Sequence, residues 1–142
     1  MVDLTLSLVT TKTQVNECFS LMRQLRPHLG EAQFIEHVSV QKDDGFQILQ
    51  AKCSNQVIGL AGFRIGHKLA WGKHLYIDDL VTDEDARSKG IGFAMLNWLE
   101  DHAKTMDCAQ IHLDSGVQRF QAHKFYLRSG FVISSHHFAK SL

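Results

Sequence analysis

Between Ile77 and Gly92 the chain changes its period without a break. Ile77-Asp78-Asp79-Leu80-Val81-Thr82 reads as the end of a strand, and Arg87-Ser88-Lys89-Gly90-Ile91-Gly92 opens an apolar pattern of helical spacing. A strand that passes through a glycine loop into a helix turns unpaired backbone N–H groups and the positive end of the helix dipole outward together, which makes an anion site. Gly90 and Gly92 remove side chains where a phosphate must approach the backbone, while Arg87 and Lys89 supply positive charge. A dinucleotide fingerprint would need a third glycine at Met95, and a nucleotide phosphate loop would need Gly-Lys-Ser/Thr, so neither pattern is met.

The elements around this junction follow from periodicity. Met1 to Leu8 carries polar residues at alternate positions and reads as a first strand rather than a signal peptide. Val15, Cys18, Phe19, Met22 and Leu25 predict a helix over 11–26, capped by Thr11 or Thr13 and stopped by Pro27. A second helix from Glu31 to about Gln41 is expected to carry Phe34, Ile35 and Val38 inward. Phe46–Cys53 and Val57–Ile65 flank Ser54-Asn55-Gln56 as a hairpin, and Lys73–Thr82 adds a third strand. The helix from about Gly90 to Met106 places Gly92, Leu96, Leu99, Ala103 and Met106 on one stripe. Ala109–Leu113 is a short strand, Val117–Ser129 a helix ending at Gly130, and Phe131–Phe138 a last strand. The order gives a single mixed α+β domain over residues 1–142 built on one central sheet.

Composition narrows the function. A length of 142 residues suits one domain with its own core. Fifteen basic residues balance fifteen acidic ones, so the overall positive field of most nucleic-acid binders is missing. Cys18, Cys53 and Cys108 are odd in number and far apart, which argues against a disulfide framework or a zinc site and for a reducing, cytoplasmic setting. No apolar run is long enough to cross a membrane. His136-His137 and His112 invite a metal reading, but adjacent strand residues diverge and no carboxylate or cysteine falls at ligand spacing, so no metal is expected.

Two motifs carry a resemblance. Arg87-x-x-Gly90-x-Gly92 resembles the pyrophosphate loop of the GNAT superfamily of acetyl-CoA-dependent N-acetyltransferases. Ala122-His123-Lys124-Phe125-Tyr126-Leu127-Arg128-Ser129-Gly130-Phe131 is similar to that superfamily's Ala-x-x-Phe-Tyr-x-x-x-Gly-Phe segment. Leu75-Tyr76-Ile77-Asp78-Asp79-Leu80 is also similar to a strand of its diamine and polyamine acetyltransferases. The resemblance implies a mixed sheet with helices on both faces and two parallel strands splayed around the cofactor. Acetyl-CoA would pair its pantetheine arm with Leu80, Val81 and Thr82 and seat its diphosphate on Arg87, Ser88, Lys89, Gly90, Ile91, Gly92 and Phe93, with Arg119 and Lys124 able to reach its phosphates. The asparagine that many relatives place before the tyrosine helix has no counterpart in Asp114-Ser115-Gly116-Val117-Gln118-Arg119.

The implied reaction is direct attack of an amine on the thioester, with Tyr126 protonating the departing thiolate. Asp78 matches a catalytic carboxylate of the diamine branch, with Asp79 beside it. An alkylammonium near ~10.4 and an aspartate near ~3.9 differ by roughly 6 units, so the carboxylate is expected to bind the ammonium and relay its proton through water. Strand neighbours face opposite ways, so only one of the two can enter a given cleft unless a bulge intervenes. A small cationic amine is the expected acceptor, with a protein lysine or N-terminal amine as competitor. A non-catalytic acyl-CoA-binding module is the rival from another class, in which Tyr126 is a packed helix aromatic. Only twelve residues follow Gly130, where relatives often finish with two strands, which suggests an open sheet edge and a homodimer.

Overall fold

The computed structural model describes residues 3–87 and 89–142. They form two compact units, Met1–His112 and Leu113–Leu142. The strands β1 (Leu4–Leu8), β2 (Gln47–Cys53), β3 (Gln56–Lys68), β4 (Gly72–Thr82) and β5 (Gln110–Leu113) make one sheet in the order β1-β2-β3-β4-β5. The first four pair antiparallel in sequence, and β5 runs parallel to β4, so the sheet is mixed as expected. Ser54 and Asn55 both take positive φ (49° and 70°), the conformation of a two-residue type I′ hairpin turn.

Helix α1 (Lys12–Leu25) opens with a capping box in which Gln14 N–H donates to Thr11 Oγ1 at 3.2 Å and Thr11 N–H donates to Gln14 Oε1 at 3.0 Å. It buries Val15, Cys18, Leu21 and Met22 and stops at Arg26, ahead of Pro27. Helix α2 (Glu31–Asp43) turns Phe34 and Val38 inward. Ile35, expected inside, is 38% exposed, because an i, i+4 pair alone defines the narrow apolar face of this polar helix. These two helices share a core with Phe46, Ile48, Leu60 and Val81 on one face of the sheet.

Helix α3 (Ile91–Thr105) covers the other face. Its buried stripe is Ile91, Met95, Leu96, Leu99 and Ala103; Met106, expected in it, is 40% exposed beyond the last turn. Contact is close because Gly59 on β3 has no side chain, and a Cβ there would lie 3.0 Å from both Ile91 and Met95. Positions 59 and 63 of β3 therefore face α3 and position 60 faces α1, the alternation that sets every orientation on β4.

In the Leu113–Leu142 unit, α4 (Phe120–Arg128) starts three residues later than its sequence pattern suggests. It ends in a Schellman motif: Phe131 N–H reaches Tyr126 O at 3.1 Å, Gly130 N–H reaches Leu127 O at 3.2 Å, and Gly130 has φ 93°. Residues 131–142 form no strand, contrary to the expectation for Phe131–Phe138. Val132, Ile133 and Phe138 are 78%, 73% and 92% exposed, so the stretch has neither a ladder for its backbone nor a face to bury.

Candidate active site

The sheet's decisive irregularity lies on β4. Gly62 pairs with Asp79 and Phe63 with Ile77, so Asp78 is an extra residue bulged out of the ladder. Before the bulge, Tyr76 pairs with Arg64 on the α1 face, and after it Asp79 pairs with Gly62 and Val81 with Leu60 on that same face. The phase slips by one at Asp78, which is how two adjacent aspartates line one cleft. That cleft has a volume of about 510 Å³ and is walled by α1, the loop after it, α2 and β4, with Arg26, His28, Phe46 and Tyr76 among its lining.

Each carboxylate is already held. Arg64 forks onto Asp78, Nε to Oδ1 at 3.1 Å and Nη2 to Oδ2 at 2.7 Å. Arg26 puts Nε and Nη2 on Asp79 Oδ1 at 3.1 and 2.9 Å, and Nη2 also donates to the Asp78 carbonyl at 3.1 Å. Burial pushes the Asp79 carboxyl above its ordinary value, against the pull of Arg26. Hydrogen bonding to Asp78 raises the Arg64 guanidinium further.

Gly62 makes the floor possible: a Cβ there would stand 2.5 Å from the Phe46 ring and 2.6 Å from Asp79 Oδ2. Arg64 in turn lies over that ring, 5.5 Å from its centroid. The last turn of α1 is stitched to the end of β4, since Gln24 Oε1 accepts from Glu84 N–H at 3.1 Å and Gln24 Nε2 donates to Asp83 Oδ1 at 3.4 Å.

Leu80, Val81 and Thr82 follow the bulge and use one edge on Ala61, Leu60 and Gly59. On the other edge β5 joins where Ala109 N–H donates to Lys73 O at 2.8 Å, near the start of β4, and its four residues are too few to run beside all eleven of β4. A 3-10 turn, Glu84–Ala86, then leads to Gly90, which caps α3 at φ 79° without a side-chain cap. The first intrahelical bond there is Ala94 N–H to Gly90 O at 3.0 Å, so the amides of Ile91 and Gly92 precede the helix's own hydrogen-bond ladder. Arg87, Lys89 and Gly90 are exposed, Ile91 is buried, and Phe93 is 46% exposed; Ser88 lies outside the described residues.

In the second unit Tyr126 is 9% exposed, between the rings of Phe125 at 5.4 Å and Phe131 at 5.9 Å. Burial pushes its phenol above the ordinary value, with Arg119 pulling weakly the other way. Arg119 caps α4, and both it and Lys124 are exposed. Of the histidines considered for a metal, His112 lies flat on Trp71 at 3.5 Å and His137 stands 3.5 Å from Asp114.

The family model described as acetyltransferase (GNAT) family matches residues 13–131. The chain belongs to the GNAT acetyltransferase family. A Bacillus subtilis (strain 168) relative, the uncharacterized N-acetyltransferase YhdJ, is 35% identical over 93% of this chain and 94% of its own length. The aminoalkylphosphonate N-acetyltransferase of Salmonella typhimurium is also 35% identical, over 46% of this chain and 43% of that one. Among solved structures, the aminoglycoside N-acetyltransferase AAC(6')-Iy in complex with CoA matches with a TM-score of 0.88 over 100% of this chain and 96% of that one, at 14% identity, a likeness of fold.

Sequence reasoning singled out the Arg87–Gly92 loop and the two aspartates that line this cleft, but not Arg26, Arg64, His28, Phe46 or Gly62. A signal for Arg64 was present: a basic residue between Phe63 and Ile65 inside a strand must find a charge partner.

Proposed function

We propose that this GNAT enzyme transfers the acetyl group of acetyl-CoA to a primary amine on a small molecule, by direct attack of the amine on the thioester. The observation that carries the reading is the phase slip at Asp78, which sets Asp78 and Asp79 in one cleft immediately before the Leu80–Thr82 segment and the α3 N-terminus. The pantetheine amides would add to Leu80–Thr82 as an extra strand, and the diphosphate would sit on the Arg87–Phe93 loop. Because the family match spans both units, residues 1–142 are read as one catalytic domain.

Roles follow from the chemistry of the groups. Both oxygens of Asp78 are spent on Arg64, whereas Arg26 takes only Oδ1 of Asp79, so Oδ2 of Asp79 is the better proton relay. Its raised pKa narrows the gap of roughly 6 units that separates an unperturbed aspartate from an alkylammonium. Tyr126 serves as the acid: burial keeps the phenol protonated at neutral pH, and transfer to a thiolate near ~8.5 is uphill by at least about 2 kcal/mol. The cationic acceptor suggested by likeness to the diamine branch loses its main attraction, because each carboxylate already balances an arginine. Arg119 and Lys124 are assigned a supporting part at the CoA phosphates.

No described helix is long and apolar enough to cross a membrane, and the cysteines are free; a cytoplasmic location is proposed on that basis. The exposed Val132, Ile133 and Phe138 support association with a second copy, which light scattering at two concentrations would reveal. The central test is acetyl-CoA consumption across an amine panel with wild type and Tyr126→Phe. A fall in turnover of about a hundredfold with CoA binding unchanged is expected. Equal turnover in the two proteins removes Tyr126 from the mechanism, and no turnover on any amine favours an acyl-CoA-binding module.

A further inference from the structure

Charge bookkeeping in the acceptor cleft deepens the reading above and rests on it. Two carboxylates face two guanidiniums, and every oxygen of Asp78 and one of Asp79 is already engaged. An incoming ammonium therefore meets no carboxylate free of a cation. The donors tell the opposite story. A guanidinium has five N–H groups, and Arg26 spends only those on Nε and Nη2, while Arg64 likewise uses Nε and Nη2. Nη1 of each arginine makes no hydrogen bond among the described residues. Arg26 is the more open of the two, its side chain 41% exposed against 28% for Arg64, and it lines the cleft. His28, on the loop just past Pro27, and His37, on α2, line the cleft as well and bring two more nitrogen-bearing rings.

Arg26 is also fixed in place. Bonds to a carboxylate and to a backbone carbonyl hold its planar fork, so the entropy of ordering a long side chain is spent before any ligand arrives. A held guanidinium with unspent donors is a receptor for an oxyanion.

We propose that the acceptor carries an oxyanion, a phosphate, phosphonate or carboxylate, in addition to its amine, and that Arg26 Nη1 receives it in the cleft opened by the bulge at Asp78. Such a substrate delivers its amine to Asp79 Oδ2 while its anionic end stays on the arginine. The acceptor is thus selected by its acid group, and the aspartates position arginines rather than attract cations.

The test compares four amines of similar length with CoA-saturated wild-type enzyme: 2-aminoethylphosphonate with β-alanine as its carboxylate counterpart, 3-methoxypropylamine as the neutral case, and 1,3-diaminopropane as the cation. kcat/KM at least about tenfold higher for an anionic amine than for the neutral one is expected, carried mainly by KM. The phosphonate and carboxylate arms distinguish the two kinds of oxyanion. Arg26→Lys, which keeps the charge but not the fork, should bring the anionic-to-neutral ratio close to one. A preference for the diamine, or equal rates for all, overturns the inference while acetyl transfer stands. Binding of methylphosphonate to wild type at saturating CoA, followed by calorimetry, supplies a readout free of turnover and of the cofactor's own phosphates. If methylphosphonate binds there but no amine is acetylated, the transferase reading fails and the oxyanion site remains; absence of binding overturns the site.

Discussion

The α3 N-terminus and the acceptor cleft both turn on a glycine, for opposite reasons. Gly90 has φ 79°, and a Cβ built on it meets nothing within 4 Å. What it supplies is a left-handed backbone, so that amides and helix dipole point the same way. Gly62 has no positive φ, yet a Cβ there would collide with the Phe46 ring and Asp79 Oδ2. What it supplies is space. The first site is made by contiguous backbone; the second by side chains from α1, the following loop, α2, β3 and β4 converging over one bare position. Local sequence can specify the former, whereas the latter exists only once the sheet is registered.

The largest effect should come from the packed position. Gly62→Ala forces a methyl into Phe46, which is only 5% exposed and cannot swing away, and overpacking of this kind costs about 1–3 kcal/mol, a fall in Tm of about 5–10 °C. Acetylation should fall with it, because Asp79 must shift. Gly66→Ala, whose Cβ would stay 3.6 Å from the His74 ring, is the matched control on the same strand and should change Tm by less than about 2 °C. Equal melting of the two variants would erase the contrast.

Gly90→Ala should do less to the fold and more to the cofactor. A left-handed alanine costs about 1–2 kcal/mol, with no clash to add. The methyl points into the open space where a diphosphate is proposed to dock, so CoA affinity should weaken about tenfold or more by calorimetry, while the Gly62 variant's affinity for CoA changes less. A Gly90→Ala enzyme that binds CoA normally would disconnect the loop from the cofactor.

This contrast also explains what was legible. The hairpin turn at Ser54-Asn55, the N-cap at Thr11 and the glycine at the α3 start are local chemistry, and each stood near its expected position. The bulge was not local: Asp78 and Asp79 look like any strand pair until β3 sets the register opposite them. Arg26 reads in sequence as the last residue before a helix-stopping proline, and its role depends on a carboxylate that is distant in the chain. The Phe131–Phe138 strand failed for a related reason. Alternating apolar residues state only what a strand would bury, and in the Leu113–Leu142 unit no strand ladder forms along that segment. Tyr126-x-x-x-Gly130-Phe131 has a second reading as well. Its backbone bonds and the Tyr126–Phe131 ring contact make a complete helix stop, so the motif would be required for the fold even without catalysis.

The smallest effect concerns pH, and it separates a site made of side chains from one made of backbone. Asp79 binds its proton more tightly in the folded chain than an ordinary aspartate, whose value is 3.8, because burial outweighs Arg26. The native state therefore holds more proton than the unfolded state in the window just above that value, and stability contributed by the protonated form is present below it and lost as pH rises through the folded pKa. Most carboxylates in a folded protein act in the reverse direction, so Asp79 should flatten the acid limb of the stability curve. Asp79→Asn removes the effect, and urea midpoints measured from pH 3.5 to 6 should then rise more steeply with pH than in wild type. Arg26→Gln takes away the two influences that lower the Asp79 pKa, its hydrogen bond and its charge, so the window should widen upward and the limb flatten further. Gly90→Ala should leave the shape of the curve as in wild type, since no titrating group takes part in that turn. An Asp79→Asn curve flatter than wild type would mean that Arg26 outweighs burial, leaving Asp79 a weaker base than the proposed relay needs.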